Sequence, residues 1–474
     1  MATVRGAREV LPAAWLAGEI SVIGLGKSGR AVSTLLQRAG ARVYASDAGS
    51  SPAVAEAAAT LQASGVAADV GRHALDRIRR ASLVVVSPGV PPTSAAPAAA
   101  REAGVPIVGE VEIALRFLPD ARYIAITGSN GKTTTTAIAG ELLTALGVRA
   151  VTAGNIGTAL AELPLRDHPP DWIALEISSF QLHDMPSIAP AVGVLTNLSP
   201  NHLDRYVSLE EYYADKALLF RNAAPHSRWV SNADDPDSQR LVRGVAGAHR
   251  TFSVSRAADA YLDRPANRLV VFGAPLLARD EFALLGDHNV ANALAAALAV
   301  MLADEAHATP SARGALADAL RRFRALEHRN EPVGELGGVL WVNDSKSTSV
   351  AATQVALRGM TRPTVLLLGG RHKGEPYTAL AADVARTVRT VVAYGEAAPI
   401  VERDLGRVVP VERLGSSFPE VIRRARDLAR PGDAVLLSPA CSSYDMFANY
   451  EERGAAFKRL VEEAVAVTGG SRTP

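Results

Sequence analysis

The chain has 474 residues, with 50 Lys plus Arg against 49 Asp plus Glu and a formal net charge of +1. That length exceeds one hydrophobic core and sets an expectation of about three domains, while the balanced charge argues against a nucleic-acid or membrane-surface partner. The single cysteine, Cys441, excludes an internal disulfide framework and fits a reducing, cytoplasmic setting.

Near the start, Arg5 and Arg8 precede LPAAWLAG, which superficially resembles a secretion signal. The stretch is short, holds Pro12 and runs straight into a strand-like segment. That segment, ISVIG (20–24), leads into Gly24-x-Gly26-x-x-Gly29 and a helix expected over 29–39; Asp47 closes the next strand, 18 residues beyond Gly29. Glycines at this spacing between strand and helix form the dinucleotide fingerprint, in which a helix N-terminus faces a diphosphate. Three readings stay open: NAD or FAD, the diphosphate of another nucleotide, or a tight turn needing glycine only for its backbone. LVVVSPG (83–89) is a further strand. The βα pattern then restarts at YIAITG (123–128), after AGVPIVGEVEIALRFLP, which places a first boundary near 110.

The stretch ITGSNGKTTTT (126–136) carries the end of a P-loop, Gly131-Lys132-Thr133, but Ile126 occupies the place of the pattern's first glycine. A helix expected over 133–146 follows. Its N-terminal N–H groups and Lys132 make an anion site, and the Thr133 hydroxyl suits Mg²⁺. WIALE (172–176) ends on Glu176, at the strand end where a magnesium ligand is needed. AVGVLTN (191–197) is followed by His202 and Asp204. Lys216, in EEYYADKALLF, reads by itself as a solvated helix lysine. Asn289 and Asn292 share one side of a helix start, from which their amides reach a base edge. The longest apolar run, ALAAALAVMLA (293–303), falls short of the ~20 residues that span a bilayer. A second boundary falls near 326, before EHRNE, and VLLLGG (365–370), VVAYG (391–395) and AVLLSP (434–439) continue as strands around a helix over 378–389. Continuous apolar strands alternating with helices throughout define an α/β class with parallel sheets.

The motif TGSNGKTT stands with GLGKSG, SPGVP, GNIG (154–157), LEISSFQL, NHLDRY, HNVANALAA, EHRNE, NDSKSTS, LGGRHKG and LLSPACSSYDMFANYEERG, spread from residue 22 to 454. Together they resemble the Mur ligase family, ATP-dependent amide ligases of peptidoglycan precursor synthesis, and most resemble the branch adding D-glutamate to UDP-N-acetylmuramoyl-L-alanine. The shortened P-loop is that family's habit.

The resemblance implies a Rossmann-like UDP-sugar domain over 1–110, a central P-loop ATPase-type domain over 111–325 and a Rossmann-like amino-acid domain over 326–474. It implies a cytoplasmic monomer, without membrane insertion, serving cell-wall synthesis and hence cell shape and division. Gly128, Ser129, Asn130, Gly131, Lys132, Thr133 and Thr134 would hold the ATP phosphates. Thr133, Glu176 and His202 would serve two Mg²⁺ sites, and Lys216 would carry a CO₂-derived carbamate beside the metal; Lys132, Glu176, His202 and Lys216 form the implied catalytic set. Asn289 and Asn292 match adenine contacts, Asp344 a ribose contact and Arg329 a γ-phosphate contact. D-glutamate would meet Lys346, Thr348, Lys373, Ser443 and Tyr450, the last standing where the family has phenylalanine. Lys27, Ser28, Asp47, Ser87 and Asn155 would border the UDP-sugar.

A nicotinamide dehydrogenase would leave the G-K-T loop, His202 and NDSKSTS unexplained. A sibling ligase adding L-alanine, or a folylpolyglutamate synthase, would share the ATP motifs but differ in the first and third domains. A catalytically dead binding protein is disfavoured by the full set of ATP residues.

Overall fold

The described residues, 4–200 and 206–469 of a computed structural model, form sheets of five, nine and six strands. In the first sheet, Ile20–Ile23 lies at the centre, between Val43–Asp47 and Leu83–Val86, with Ala67–Val70 and Ile107–Gly109 at the edges. Every pairing is parallel. The strand order reverses beside Ile20–Ile23, and the crevice beyond the strand ends at such a reversal is where ligands bind in open α/β sheets. Leu83–Val86, all Leu and Val, is buried throughout, as a strand covered on both faces must be.

The second sheet runs Ala150–Gly154, Trp172–Glu176, Arg122–Thr127, Val192–Leu195, Arg228–Asn232, Ala248–Ser253 and Ala260–Asp263, all parallel. It then ends in two antiparallel strands, Arg268–Val271 and Ala274–Ala278. The third sheet is an antiparallel pair, Glu331–Leu336 with Val339–Asn343, continued in parallel by Ala434–Leu437, Thr364–Gly369, Val388–Tyr394 and Val411–Arg413.

All eight strands read from the sequence are present, within a few residues of their expected limits. The expected alternation of strand and helix is interrupted at 260–278 and 331–343. There, two-residue turns replace helical crossovers: Phe272-Gly273 at φ 51° and 72°, and Gly337-Gly338 at φ 59° and 77°. Turns with two positive φ values match the twist of antiparallel strands and require no helix. The apolar N-terminal stretch contributes only a turn of 3₁₀ helix, Ala13–Leu16, and its Trp15 carbonyl accepts a hydrogen bond from Ser82 Oγ at 2.6 Å. No helix among the described residues is long and apolar enough to cross a membrane.

The chain divides into two compact units, Met1–Ala278 with Ala291–Leu320, and Arg279–Val290 with Arg321–Pro474. Within the first unit, the five- and nine-stranded sheets share one apolar core that runs from Ala7 to Val242. Polar ties reinforce this join. Gly109 N donates to Asp184 O at 2.8 Å, and Ser187 N and Oγ donate to the two oxygens of Glu112 at 3.1 and 2.5 Å. Glu110, buried at the start of its helix, accepts from Ala161 N at 2.6 Å. Burial raises its carboxyl from 4.5 to about 7, the Ala161 contact opposing only part of that rise.

Between its unfolded and folded values a raised carboxyl takes up a proton on folding, so stability falls as pH rises across that window. Its contribution is therefore complete below about 4.5 and lost as pH rises through about 7. Glu110→Gln retains an acceptor for Ala161 but no longer titrates. In urea denaturation, its stability relative to the wild type should rise between those two pH values, by up to roughly 3 kcal/mol. A difference independent of pH would contradict this assignment.

Candidate active site

The strand Arg122–Thr127 is flanked by Trp172–Glu176 and Val192–Leu195, so the carboxyl ends of three parallel strands converge. From the first of them, Gly128 to Gly131 turn into the helix Lys132–Ala145. The loop is clamped by the segment that follows Val192–Leu195. Asn197 O accepts from Ser129 N at 2.8 Å, Asn197 Oδ1 from Asn130 N at 3.0 Å, and Thr196 Oγ1 donates to Asn130 O at 2.6 Å. Ser129 Oγ donates to Ser199 O at 2.8 Å. Sequence reasoning passed over Thr196, Asn197 and Ser199; the polar run TNLS at a strand end was the available signal.

Lys132 Nζ lies over the loop, donating to Gly128 O and Ser129 O at 2.9 Å each, with Thr133 and the buried Thr134 in the next helical positions. Gly131 caps the helix at φ 81°, and a Cβ there would lie 2.3 Å from Asn292 Oδ1. Asn292 thus packs directly on the phosphate loop, and its Oδ1 also accepts from Thr135 Oγ1 at 3.2 Å. Asn289 Nδ2 donates to Leu285 O at 2.8 Å.

Glu176 ends its strand fully buried. Oε1 accepts from Asn155 Nδ2 at 2.8 Å, and Oε2 has no hydrogen-bond partner among the described residues. Lys216, on the helix Leu209–Ala217, is only 1% exposed. This corrects its reading as a solvated surface lysine. Its Nζ is 3.5 Å from Thr127 Oγ1 and 4.8 Å from the centre of the Tyr212 ring, whose hydroxyl lies 3.1 Å from Ser129 Oγ. Burial above all, and then the charge of Lys132, hold this amine well below the usual lysine range; Asp215 and Glu176 oppose the shift. His202 and Asp204 lie outside the described residues.

A cleft of about 550 Å³ opens where the first sheet reverses its order, and Lys27, Ser28, Asp47, Ser87 and Asn155 all line it. The glycine loop closes on itself here: a Cβ on Gly29 would stand 1.7 Å from Gly24 O, a close helix-to-strand approach that only glycine permits. Asp47 bonds to backbone, accepting from Leu25 N and Gly49 N at 2.7 Å each. Ser87 Oγ donates to Gly24 O at 3.1 Å, and Lys27 Nζ reaches Gly157 O at 2.6 Å.

The second unit, taken by itself, gathers Arg329, Asp344, Lys346, Thr348, Ser443 and Tyr450 around the turns at its strand ends. Asp344 is buried, with Oδ1 accepting from Asn330 N at 3.1 Å and Oδ2 from Ser438 Oγ at 2.8 Å. Burial raises its carboxyl to about 6 against the pull of these bonds and of Arg329. Lys346 Nζ lies 4.9 Å over the Tyr450 ring, and Lys346 O accepts from Thr348 N at 2.9 Å. Ser443 O anchors Met446 N and Phe447 N, while the charge of Lys373 acts on Cys441. Sequence reasoning did not single out Arg453. It is fully buried and donates to Ser345 Oγ, Ser345 O and Cys441 O at 3.0, 2.8 and 3.2 Å. Its burial distinguishes it from the neighbouring acidic residues of the helix Tyr450–Gly469.

Three family models fit successive parts of the chain: the Mur ligase MurD-like N-terminal domain over 18–109, the Mur ligase middle domain over 126–300 and the Mur ligase glutamate ligase domain over 328–441. The chain belongs to the Mur ligase family. Among its relatives is a UDP-N-acetylmuramoylalanine–D-glutamate ligase of Acidobacterium capsulatum, 39% identical over 461 residues and covering 94% of this chain and 96% of that protein. Another protein of that name, from Anaeromyxobacter dehalogenans, is 41% identical over 458 residues, covering 94% and 97%. Solved structures of the same fold include a MurF ligase from Thermotoga maritima in complex with ADP. It aligns with a TM-score of 0.59 at 16% identity over 98% of this chain and 99% of that one. The UDP-N-acetylmuramate-alanine ligase MurC from the same organism aligns with a TM-score of 0.58 at 18% identity, over 94% and 100%.

Because Gly131 combines a left-handed φ with the close approach of Asn292, Gly131→Ala should strain both the loop and the helix start. Thermal unfolding should report a loss of about 1–3 kcal/mol. Gly147→Ala serves as the comparison, since it also has positive φ but an open Cβ position, and it should cost less.

Proposed function

We propose that this chain ligates D-glutamate to UDP-N-acetylmuramoyl-L-alanine, consuming ATP, in peptidoglycan precursor synthesis. The observation that carries this reading is the gathering of the phosphate loop, Glu176 and the buried Lys216 at one end of the central strands, in a chain 39–41% identical to relatives named for that reaction. The proposed domain limits are 1–110, 111–325 and 326–474, and the proposed setting is the cytoplasm.

In the proposed reaction, the sugar substrate's carboxylate attacks the γ-phosphorus of ATP and ADP leaves. The amine of D-glutamate then attacks the acyl phosphate, expelling inorganic phosphate and losing a proton. Phosphoryl transfer depends on positioning and on neutralising phosphate charge. Lys132 and the N–H groups of Gly131, Thr133 and Thr134 would cradle the β- and γ-phosphates, on a loop shaped by Gly128, Ser129 and Asn130; Arg329 would meet the γ-phosphate, Asp344 the ribose, and Asn289 and Asn292 the adenine. Lys346, Thr348, Lys373, Ser443 and the Tyr450 ring would hold D-glutamate. Lys27, Ser28, Asp47, Ser87 and Asn155 would border the UDP-sugar.

Mg²⁺ fits the donors near the phosphate loop, because a buried carboxylate oxygen unpartnered among the described residues and a threonine hydroxyl are hard oxygen ligands. Thr133, Glu176, His202 and a carbamylated Lys216 would hold Mg²⁺ at two sites. When bound, Mg²⁺ would supply neutralisation of the phosphate charge.

The direct test is phosphate release from ATP, with UDP-N-acetylmuramoyl-L-alanine and a panel of D- and L-amino acids. D-glutamate should stimulate release well above every other member. A preference for L-alanine would overturn the assignment.

The carbamate proposal has its own physical basis. Lys216 in its neutral form is a nucleophile, and its nitrogen adds to CO₂ with loss of one proton, giving an N-carboxylate. That turns a neutral amine under the influence of the Lys132 charge into an anion. Lys216→Ala should therefore lose most ligase activity while remaining folded, and acetate or formate should restore part of it by occupying the vacated space. Lys216→Arg should stay inactive under the same rescue. Full activity of Lys216→Ala at low bicarbonate would contradict the proposal.

A further inference from the structure

Asn155 lines the cleft assigned to the UDP-sugar. Its side chain, however, is engaged elsewhere. Gly154 pairs in register with Glu176 across the two parallel strands, and immediately beyond that pair Asn155 N donates to Glu176 O at 3.0 Å. This backbone bond brings the two side chains together at the strand ends. Asn155 Nδ2 then donates to Glu176 Oε1 at 2.8 Å. A carboxylate oxygen accepts only, so the amide must present its nitrogen here and its oxygen away from Glu176.

The consequence lies in the other carboxylate oxygen. Glu176 Oε2 is buried and, among the described residues, accepts no hydrogen bond. An unpartnered buried carboxylate oxygen is costly unless a ligand completes it. A free glutamate samples several rotamers, and a bond to one oxygen removes most of that freedom and orients the other.

We infer that Asn155 is a positioning residue, which fixes Glu176 through Oε1 so that Oε2 is presented to a divalent cation. The inference rests on the reading of Glu176 as a metal ligand. It assigns the Asn155 amide to that carboxylate, with any contact to the sugar substrate secondary.

The test uses Mn²⁺ as the probe, titrated into the full-length protein with ADP and followed by electron paramagnetic resonance. Asn155→Ala and Asn155→Leu, the second close to the original side chain in volume but without a donor, are checked for folding by circular dichroism. Both should weaken Mn²⁺ binding by about tenfold or more, the range expected when the partner of a metal ligand is removed. Calorimetry with UDP in metal-free buffer should show a change of less than about threefold, since the cleft keeps its other walls. Wild-type Mn²⁺ affinity in these variants, with UDP affinity reduced instead, would overturn the inference and leave Asn155 a substrate contact. Glu176→Gln is the separate control and should weaken Mn²⁺ at least as much. If Glu176→Gln binds Mn²⁺ like the wild type, the metal-ligand reading itself falls, whatever the Asn155 variants do.

Discussion

The burial of one lysine amine sets the conditions for everything around the phosphate loop. Removing an ammonium from water is expensive unless it is paired, and no carboxylate lies within ion-pair distance of Lys216 Nζ among the described residues. Near it lie a threonine hydroxyl and an aromatic ring, and the charge of Lys132 also acts on it. Under these conditions the amine holds its proton less tightly than a solvated lysine does. Lys132 would attract an anionic form of the side chain rather than repel it. A site that penalises the ammonium form favours the neutral amine, which is the nucleophile that carbamate chemistry requires.

Rigid support surrounds that amine. Tyr212 places its ring against Lys216 and its hydroxyl beside Ser129, linking the helix Leu209–Ala217 to the phosphate loop. Thr196, Asn197 and Ser199 hold the loop from its other side through bonds between side chains and backbone. A loop held in this way is ordered in advance, which is the condition for strong electrostatic stabilisation of charge by the helix start that follows it. The second unit uses strain instead. His328, Asn330 and Ala440 adopt left-handed φ values of 62°, 43° and 50°, and His328 and Asn330 flank Arg329. Non-glycine residues persist in that region only where surrounding bonds over-determine them; here Asp344 Oδ1, which accepts from Asn330 N, supplies one. The fully buried guanidinium of Arg453 supplies a further brace, joining Ser345 to Cys441.

The α/β class, the eight principal strands and both glycine loops were legible in the sequence, because these are local signals. Unbroken aliphatic runs specify buried parallel strands wherever they occur, and Gly29 and Gly131 are required by backbone geometry confined to a few residues. The antiparallel additions at 260–278 were less legible. Their strands are four or five residues long and their turns, at Asn267 and at Phe272-Gly273, lack the usual Asn-Gly signal.

The side-chain environments were decided by tertiary structure. Lys216 and a solvated lysine are identical in sequence, and only the packing of its helix against the strand ends produces the burial that changes its chemistry. Glu110 likewise lies at the start of a short helix; its raised carboxyl comes from burial against a segment 51 residues away, which holds Ala161. Asn155 and Glu176 are 21 residues apart, and strand register alone brings amide to carboxylate. Sequence by itself determined which chemical groups and which strands this protein has, since propensity and backbone geometry act over a few residues. Which groups lose water, and which face each other, depends on contacts between distant segments, and that only the tertiary structure decided.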